Sequence, residues 1–425
     1  MEGISQSISK LLRPSGKGRS GKKNQYYSSD LPEGLCRRFS LGEIKKATND
    51  FAVDLVIGEG GFGKVYKGFI DDRGISVAIK RLSIRSGQGV HELTNEVVLL
   101  CQIRHPNLIA LIGYCIDEGE GCLVYEFMVN GNLHQHICGT NHDPLPWKQR
   151  LTICIGVARG LHYLHTGLKH TIFRRDVKMS DILLDEKWEA KLADFGLSKM
   201  GPPSLSKALI RINTCRIEGT YCYLAPEYAM HGELSDKSDV FSFGVGLFEL
   251  LCGRSSGDRN LAKERRDLIS WASKCKQEGT INEIIDPYLK GKIAPECFKI
   301  YVGIASSCVR GEGKDRPAMG EVEVGLEHAL QLQESADAAR EEGEYDYPID
   351  ELTCSDSPIG MYRCTSLSDS DITYSSSMPK LEMNRDGVRF PFWESDSTEL
   401  CDSSQTVNFD VLESPEMINT GAESL

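Results

Sequence analysis

Phe173-Arg174-Arg175-Asp176-Val177-Lys178-Met179-Ser180-Asp181 decides the reading of this 425-residue chain. Asp176 has a lysine two residues on, two arginines directly before it, and a second carboxylate, Asp181, five residues later. A carboxylate beside an ammonium can accept a proton from an attacking hydroxyl. A second carboxylate in the same short loop offers a hard oxygen of the kind a divalent cation takes. Eighteen residues after Asp176 comes Asp194-Phe195-Gly196, another carboxylate in a sharp local context.

Working outward, Gly58-Glu59-Gly60-Gly61-Phe62-Gly63-Lys64-Val65 has the spacing G-x-G-x-x-G-x-V. Such glycines let a hairpin backbone close over phosphates without a side chain in the way. The pattern alone is weak. It gains force from Val77-Ala78-Ile79-Lys80, which follows at the distance of the next-but-one strand. Lys80 there can hold the α- and β-phosphates of ATP as a point charge, with Val65 and Ala78 on the adenine side. That lysine needs an anionic partner on the helix beneath it. Glu96 is the first choice, and Glu92, one turn earlier on nearly the same face, is the fallback. Leu123-Val124-Tyr125-Glu126-Phe127-Met128 reads as a strand entering a hinge. Backbone groups of Glu126 and Met128 would meet the adenine edge, and Tyr125 would guard the pocket behind.

Downstream, Gly219-Thr220 and Ala225-Pro226-Glu227 close the segment opened at Asp194, and Asp315-Arg316-Pro317 follows. Glu227 is expected to pair with Arg316 in a buried structural ion pair, and Asp239 to cap the loop around Asp176 from below. Motifs in this order and spacing compose the protein-kinase pattern, whose catalytic loop reads H-R-D-x-x-x-x-N. The expected catalytic residues are Asp176, Lys178, Lys80 and Glu96. The expected metal ligands are Asp194 and Asp181, and the cofactors ATP with Mg²⁺ or Mn²⁺. Lys178, with Thr220 in the substrate-facing loop, points to serine or threonine as acceptor. Arg175 suggests that a phosphate on the activation segment is clamped by its guanidinium, with Ser204, Ser206 and Thr214 as candidate sites.

Two positions depart from the pattern. Arg174 stands where it has histidine, and Asp181 where it has asparagine. Asp181 keeps an oxygen ligand but loses the amide donor that would steady Asp176. Without metal, two carboxylates about 4 Å apart repel by on the order of 4 kcal/mol at an effective dielectric near 20. Asp181 is therefore expected to raise the metal requirement rather than abolish transfer. Arg174 is expected to disturb the packing of Phe195, with Asp239 near enough to neutralise it. The favoured reading is a working kinase. The alternative is a nucleotide-binding pseudokinase or signalling scaffold.

Short apolar runs from Leu55, with strands predicted over 77–82, 109–114 and 122–127 and one helix over 90–102, describe a small sheet lobe. Helices predicted over 147–165, 235–251, 267–278 and 297–309 describe a helical body. The fold class is α+β and bilobal, with lobes at 55–126 and 130–333. A pre-kinase segment, 39–54, carries a short helix ending near Ala47. Residues 1–38 read as a basic, solvated, disordered leader, with at most peripheral contact to an anionic membrane surface as the alternative. Residues 341–425 hold 19 acidic and 4 basic side chains, so the net charge of −12 belongs to the tail. The tail, taken from 334, reads as disordered because it buries too little apolar surface to offset its ordering entropy. The 15 cysteines contain no C-x-x-C pair and read as reduced thiols. No apolar run approaches the roughly 18 residues of a membrane span.

Three stretches extend the resemblance beyond catalytic residues: Phe39–Phe51 (FSLGEIKKATNDF), Leu184–Pro202 (LDEKWEAKLADFGLSKMGP) and Arg316–Gln333 (RPAMGEVEVGLEHALQLQ). From about Phe39 to Arg340 the chain resembles plant receptor-like kinases, the FERONIA-like (malectin-domain) group above all. That resemblance implies an ATP- and Mg²⁺-dependent Ser/Thr kinase in signal transduction. Its implied partners are protein substrates and an upstream membrane receptor or co-receptor, with no nucleic acid. Its implied place is the cytoplasm, at the inner face of the plasma membrane. Without an ectodomain or span, the chain reads as a cytoplasmic relative of those receptors or a truncated product.

Overall fold

A computed structural model describes residues 36–60, 63–71, 74–83, 87–139, 143–203, 209–212, 217–257, 261, 263–340 and 347. The leader up to residue 35 and, in the tail, residues 341–346 and 348–425 lie outside the described residues, as do Gly61, Phe62, Ser204, Ser206 and Thr214. The small lobe is built on a six-stranded sheet of order β1-β5-β6-β4-β3-β2. Its strands are β1 (Arg37–Arg38), β2 (Val56–Gly60), β3 (Gly63–Ile70), β4 (Ile75–Leu82), β5 (Leu111–Asp117) and β6 (Glu120–Glu126). All neighbours are antiparallel except β1, which runs parallel to β5 with Arg37 opposite Gly113. Glycine is required there, because a Cβ on Gly113 would lie 2.1 Å from the Arg37 carbonyl oxygen.

The period of two in β4 sorts its side chains. Val77 and Ile79 point into a small cluster with Phe39, Leu41, Ile44 and Ala47, under helix α1 (Leu41–Ala47). Ser40 starts that helix with a capping box to Glu43. The alternate residues, Ala78 and Lys80, face the other way, toward helix α2 (Gly87–Leu100) and the cleft between lobes. Cys36 is disulfide-bonded to Cys101, just past α2, with a Cα separation of 5.6 Å. This corrects the expectation of reduced thiols throughout. The partners are 65 residues apart, and only the β1–β5 pairing brings them together.

The large lobe is helical: α3 (Leu133–Cys138), α4 (Trp147–Thr166), α5 (Pro226–His231), α6 (Asp236–Cys252), α7 (Leu268–Gln277), α8 (Pro295–Cys308) and α9 (Met319–Ala339). Helices α4 and α6 are buried over most of their length, and they form the centre of the main core with α8 and α9. Between the lobes run β7 (His170–Phe173), β8 (Ile182–Leu184), β9 (Ala190–Leu192) and β10 (Lys199–Pro203). β8 pairs with β9, and β10 returns antiparallel to β7. These two ladders carry the loop 174–181 and Asp194 between them.

Helix α9 continues to Ala339, although apolar periodicity fades at Gln333. Gln333 occupies a core position with its amide satisfied: Oε1 accepts from the Ala294 N–H at 2.8 Å, and Nε2 donates to Asp337 at 2.9 Å. A polar side chain with built-in partners hides the helical pattern without ending the helix. Tyr347 then lies back against the lobe, its N–H on the Gly291 carbonyl and its hydroxyl on Asp337. Among the described residues no helix is long and apolar enough to cross a membrane.

Candidate active site

The β3–β4 register sets Val65 opposite Lys80, and the β4–β6 register sets Ala78 opposite Tyr125. Gly58, Glu59 and Gly60 lie on β2, and Gly63 and Val65 on β3, the strand that pairs with the strand of Lys80. Lys80 Nζ donates to Glu96 Oε1 at 2.9 Å and to Asp194 Oδ1 at 2.8 Å. Burial alone would lower the lysine pKa, but the charges of Asp194 and Glu96 more than offset it and hold the ammonium charged. Glu96 is fully buried and its second oxygen accepts from the Tyr125 hydroxyl. Glu92 instead accepts from Gln88, and burial pushes its carboxyl up to about 7. The structure thus joins Lys80 to Glu96, not to the fallback.

At the hinge, the Glu126 N–H donates to the Ala110 carbonyl and its carboxylate accepts from the Ala110 N–H and Lys191. The Met128 carbonyl accepts from Gly131 N–H.

In the loop 174–181, Asp176 Oδ2 accepts from Lys178 Nζ at 2.9 Å, and Oδ1 accepts from the Thr220 N–H at 2.9 Å. Lys178 also donates to Thr220 Oγ1 at 3.2 Å. Lys178 is buried, which alone lowers its pKa. Asp181 and Asp176 reverse that and keep it charged. Asp239 supports the loop from α6, where its carboxylate accepts from the backbone N–H groups of both Arg174 and Arg175 at 2.9 Å and from His165. The expected cap is present. The expected neutralisation of Arg174 by Asp239 is not, because that carboxylate is taken up by the backbone.

Arg174 is 1% exposed and forms no ion pair among the described residues. Its guanidinium lies 4.1 Å over the Phe195 ring, and Nη1 donates to the Asp194 carbonyl at 2.7 Å and to Ser198 Oγ at 3.1 Å. Nη2 donates to the Ala193 carbonyl. Far from displacing Phe195, the arginine stacks on it and grips the peptide on either side of Asp194. That residue sits at φ +61°, a left-handed conformation that costs free energy outside glycine. Removing the grip orphans buried acceptors at about 1–3 kcal/mol each. Arg174→Met is therefore expected to lose about 2 kcal/mol of stability in urea unfolding. An unchanged midpoint and slope would rule this clamp out.

Asp181 Oδ1 accepts from Ser180 Oγ at 3.1 Å, and Oδ2 is buried without a hydrogen-bond partner among the described residues. Burial raises its carboxyl well above the ordinary carboxylate range, with Lys178 acting against the rise. Asp194 is partly exposed, and against the opposing effect of desolvation Lys80 holds its carboxyl below the ordinary value. Among the described residues no cluster of three or more His, Cys, Asp or Glu side chains makes a self-contained metal site. Two carboxylates with one orphaned oxygen suit an ion whose remaining ligands come from phosphates and water, as Mg²⁺ prefers.

Two contacts of this region were not legible in the sequence. Glu218 Oε2 accepts from Arg175 Nη1 at 2.6 Å, and the buried Tyr228 hydroxyl accepts from Arg175 Nε at 3.0 Å. Neither partner has a spacing signal that marks it. Further down, Arg316 and Glu227 form the expected pair through two hydrogen bonds of 2.9 and 2.8 Å.

The family described as protein tyrosine and serine/threonine kinase matches residues 51–326. The receptor-like protein kinase FERONIA of Arabidopsis thaliana is 54% identical over 311 residues, covering 73% of this chain and 34% of that protein. The receptor-like protein kinases ANXUR2 and ANXUR1 of the same plant are 52% and 51% identical over 322 residues, 76% of this chain and 37% of each relative. The chain thus spans about a third of the length of the curated relatives it matches. A sheet lobe over a helical lobe, with Lys80, Glu96, Asp176 and Asp194 meeting in the cleft, accompanies a family match over more than half its length: the chain belongs to the protein kinase family, whose members in general use ATP and a divalent metal and act on protein substrates.

Proposed function

We propose that this chain transfers the γ-phosphate of ATP to serine and threonine hydroxyls of proteins, in signalling of the receptor-like kinase type. The observation that carries this reading is Lys80 bridging Glu96 and Asp194 at once, since that contact requires α2, the sheet and the Asp194 segment to be in register together. Lys80 would hold the α- and β-phosphates under the glycine-rich turn of Gly58, Glu59, Gly60, Gly61, Phe62 and Gly63. Val65, Ala78 and Tyr125 would bound the adenine pocket, with the Glu126 carbonyl and Met128 N–H on its edge. Asp194 and Asp181 would hold Mg²⁺, which supplies neutralisation of the phosphate charge. Asp176 would orient the acceptor hydroxyl and take its proton, with Lys178 stabilising the transferred charge. Nothing in this geometry removes a group that transfer needs, so no observation favours the scaffold reading.

Lys178 and Thr220 together flank Asp176, which supports a serine or threonine acceptor. The upstream partner we propose is a membrane receptor or co-receptor, and the working location is the cytoplasm beside the plasma membrane. The test is phosphate transfer by the purified full-length chain with ATP and Mg²⁺ or Mn²⁺, beside Lys80→Ala. Transfer above the Lys80→Ala background to serine or threonine supports the reading. Nucleotide binding without transfer under either metal would overturn it.

Asp181 gives a second measurable consequence. A carboxyl whose pKa burial raises binds a metal in competition with a proton, whereas an amide oxygen does not. Asp181→Asn is therefore expected to raise transfer at limiting Mg²⁺ and to lower the Mg²⁺ concentration that stabilises the nucleotide complex in thermal unfolding. Lower transfer together with a higher stabilising Mg²⁺ concentration would show that the carboxylate itself binds the metal better.

A further inference from the structure

Arg175 was expected to wait for a phosphate, yet its guanidinium is already occupied. Nη1 donates to Glu218 Oε2 at 2.6 Å and to the Leu197 carbonyl at 3.1 Å, while Nε and Nη2 both donate to the Tyr228 hydroxyl. The Arg175 side chain is 2% exposed, whereas that of Glu218 is 33% exposed. Glu218 is held through its main chain as well. Its N–H donates to the Tyr228 hydroxyl at 3.3 Å, and that hydroxyl donates to its carbonyl at 3.2 Å.

The contact leads straight to the reacting centre. The next residue, Gly219, has φ +134° and lies so close to the catalytic loop that a Cβ would meet the Arg175 carbonyl oxygen at 3.0 Å. The residue after it, Thr220, donates its N–H to Asp176 and accepts from Lys178. Fixing Glu218 on Arg175 therefore fixes the Thr220 peptide on Asp176. A lysine and a histidine face the carboxylate from other elements too. Lys199 on β10 has its pKa lowered by burial and by Arg175, with Glu218 pulling the other way. His91 on α2 feels the charges of Lys199, Glu218 and Arg175.

We propose that Glu218 is a positioning residue: a carboxylate of the chain itself that takes the place of an activating phosphate on Arg175 and holds the Gly219–Thr220 peptides against Asp176 without covalent modification. This rests on the kinase reading above. A phosphate has stronger charge than a carboxylate and could still compete for the same guanidinium. The unmodified protein, however, already has an anion in place.

The test uses full-length protein stripped of phosphate by a phosphatase, with its mass checked, as wild type, Glu218→Gln and Glu218→Asp. Glutamine keeps the shape and removes the charge, so thermal unfolding reports whether each variant folds. Hydrogen–deuterium exchange of peptides covering 217–224 reads the anchoring directly and needs no catalysis. Loss of a charge-assisted bond should speed exchange there by about tenfold in Glu218→Gln, with Glu218→Asp between the two. In phosphate transfer, stripped wild type should start without a lag, and Glu218→Gln should lose kcat by about tenfold or more with KM for ATP unchanged. Equal exchange in wild type and Glu218→Gln would overturn the proposal. So would stripped wild type that is silent until the activation segment gains phosphate. If no form transfers phosphate under any condition while Glu218→Gln still exchanges faster, the anchoring stands and the kinase reading fails.

Discussion

Asp176→Asn is expected to lower kcat for phosphate transfer by about 10²–10⁴-fold, the usual contribution of a positioned proton acceptor. The substitution is isosteric. One oxygen of the amide can keep the Thr220 N–H that Asp176 Oδ1 accepts at 2.9 Å, so the substrate-facing loop should remain in place. What disappears is the charge and basicity facing the acceptor hydroxyl, together with the ionic contact to Lys178 at 2.9 Å. Nucleotide is expected to bind as before, because the groups we propose for phosphates and adenine are Lys80, the glycine-rich segment and the hinge. Steady-state transfer and a nucleotide titration followed by fluorescence measure the two quantities separately. A near wild-type kcat would mean that the proton goes elsewhere. A parallel loss of nucleotide affinity would mean that the substitution disturbed the cleft.

Arg316→Ala should have the largest effect on stability, about 3–5 kcal/mol, the usual consequence of stranding one partner of a buried ion pair. The Arg316 side chain is 0% exposed and that of Glu227 is 17% exposed. Every N–H of the guanidinium is engaged. Nε donates to the Arg310 carbonyl, Nη1 to Glu227 and the Lys237 carbonyl, and Nη2 to Glu227 and the Gly311 carbonyl, all between 2.7 and 2.9 Å. Alanine would leave Glu227 without its cation and three carbonyls without donors. Lysine could replace the charge but not the fork, and should recover only part of the loss. Combining Glu227→Gln with Arg316→Ala should cost less than the sum of the two single changes, since no stranded charge remains. Urea unfolding of the four proteins measures this, and additive losses would show that the two side chains do not act as a pair.

Much of the site was legible because kinase chemistry puts its groups at set distances along the chain. Lys80 lies on the cleft face of β4 because strand side chains alternate, and Glu96 faces it because α2 repeats every 3.6 residues. Asp239 beneath the loop and Glu227 with Arg316 were legible for the same reason, their spacing from Asp176 being recognisable. Helix α9 was not among the helices read from the sequence, and its last turns fell in the expected tail because polar Gln333 takes a core position. The Cys36–Cys101 bond was hidden for another reason, since pairing across 65 residues depends on where β1 joins the sheet.

The two departures in Phe173–Asp181 separate the levels most clearly. Residue order alone determined the two-lobed class, the identities of Asp176, Lys178, Asp194 and Lys80, and the presence of an extra cation and an extra carboxylate in the loop. What those extra charges do was decided by the tertiary structure. Arg174 stacks on Phe195 and grips the Ala193 and Asp194 carbonyls, while Asp181 keeps one oxygen buried with no hydrogen bond among the described residues. Arg175 meets Glu218, 43 residues away, where a phosphate was expected. Local spacing sets which residues share a strand or helix face. Which charge meets which partner is set by folding, because a buried ion takes whatever acceptors the packed chain brings within reach.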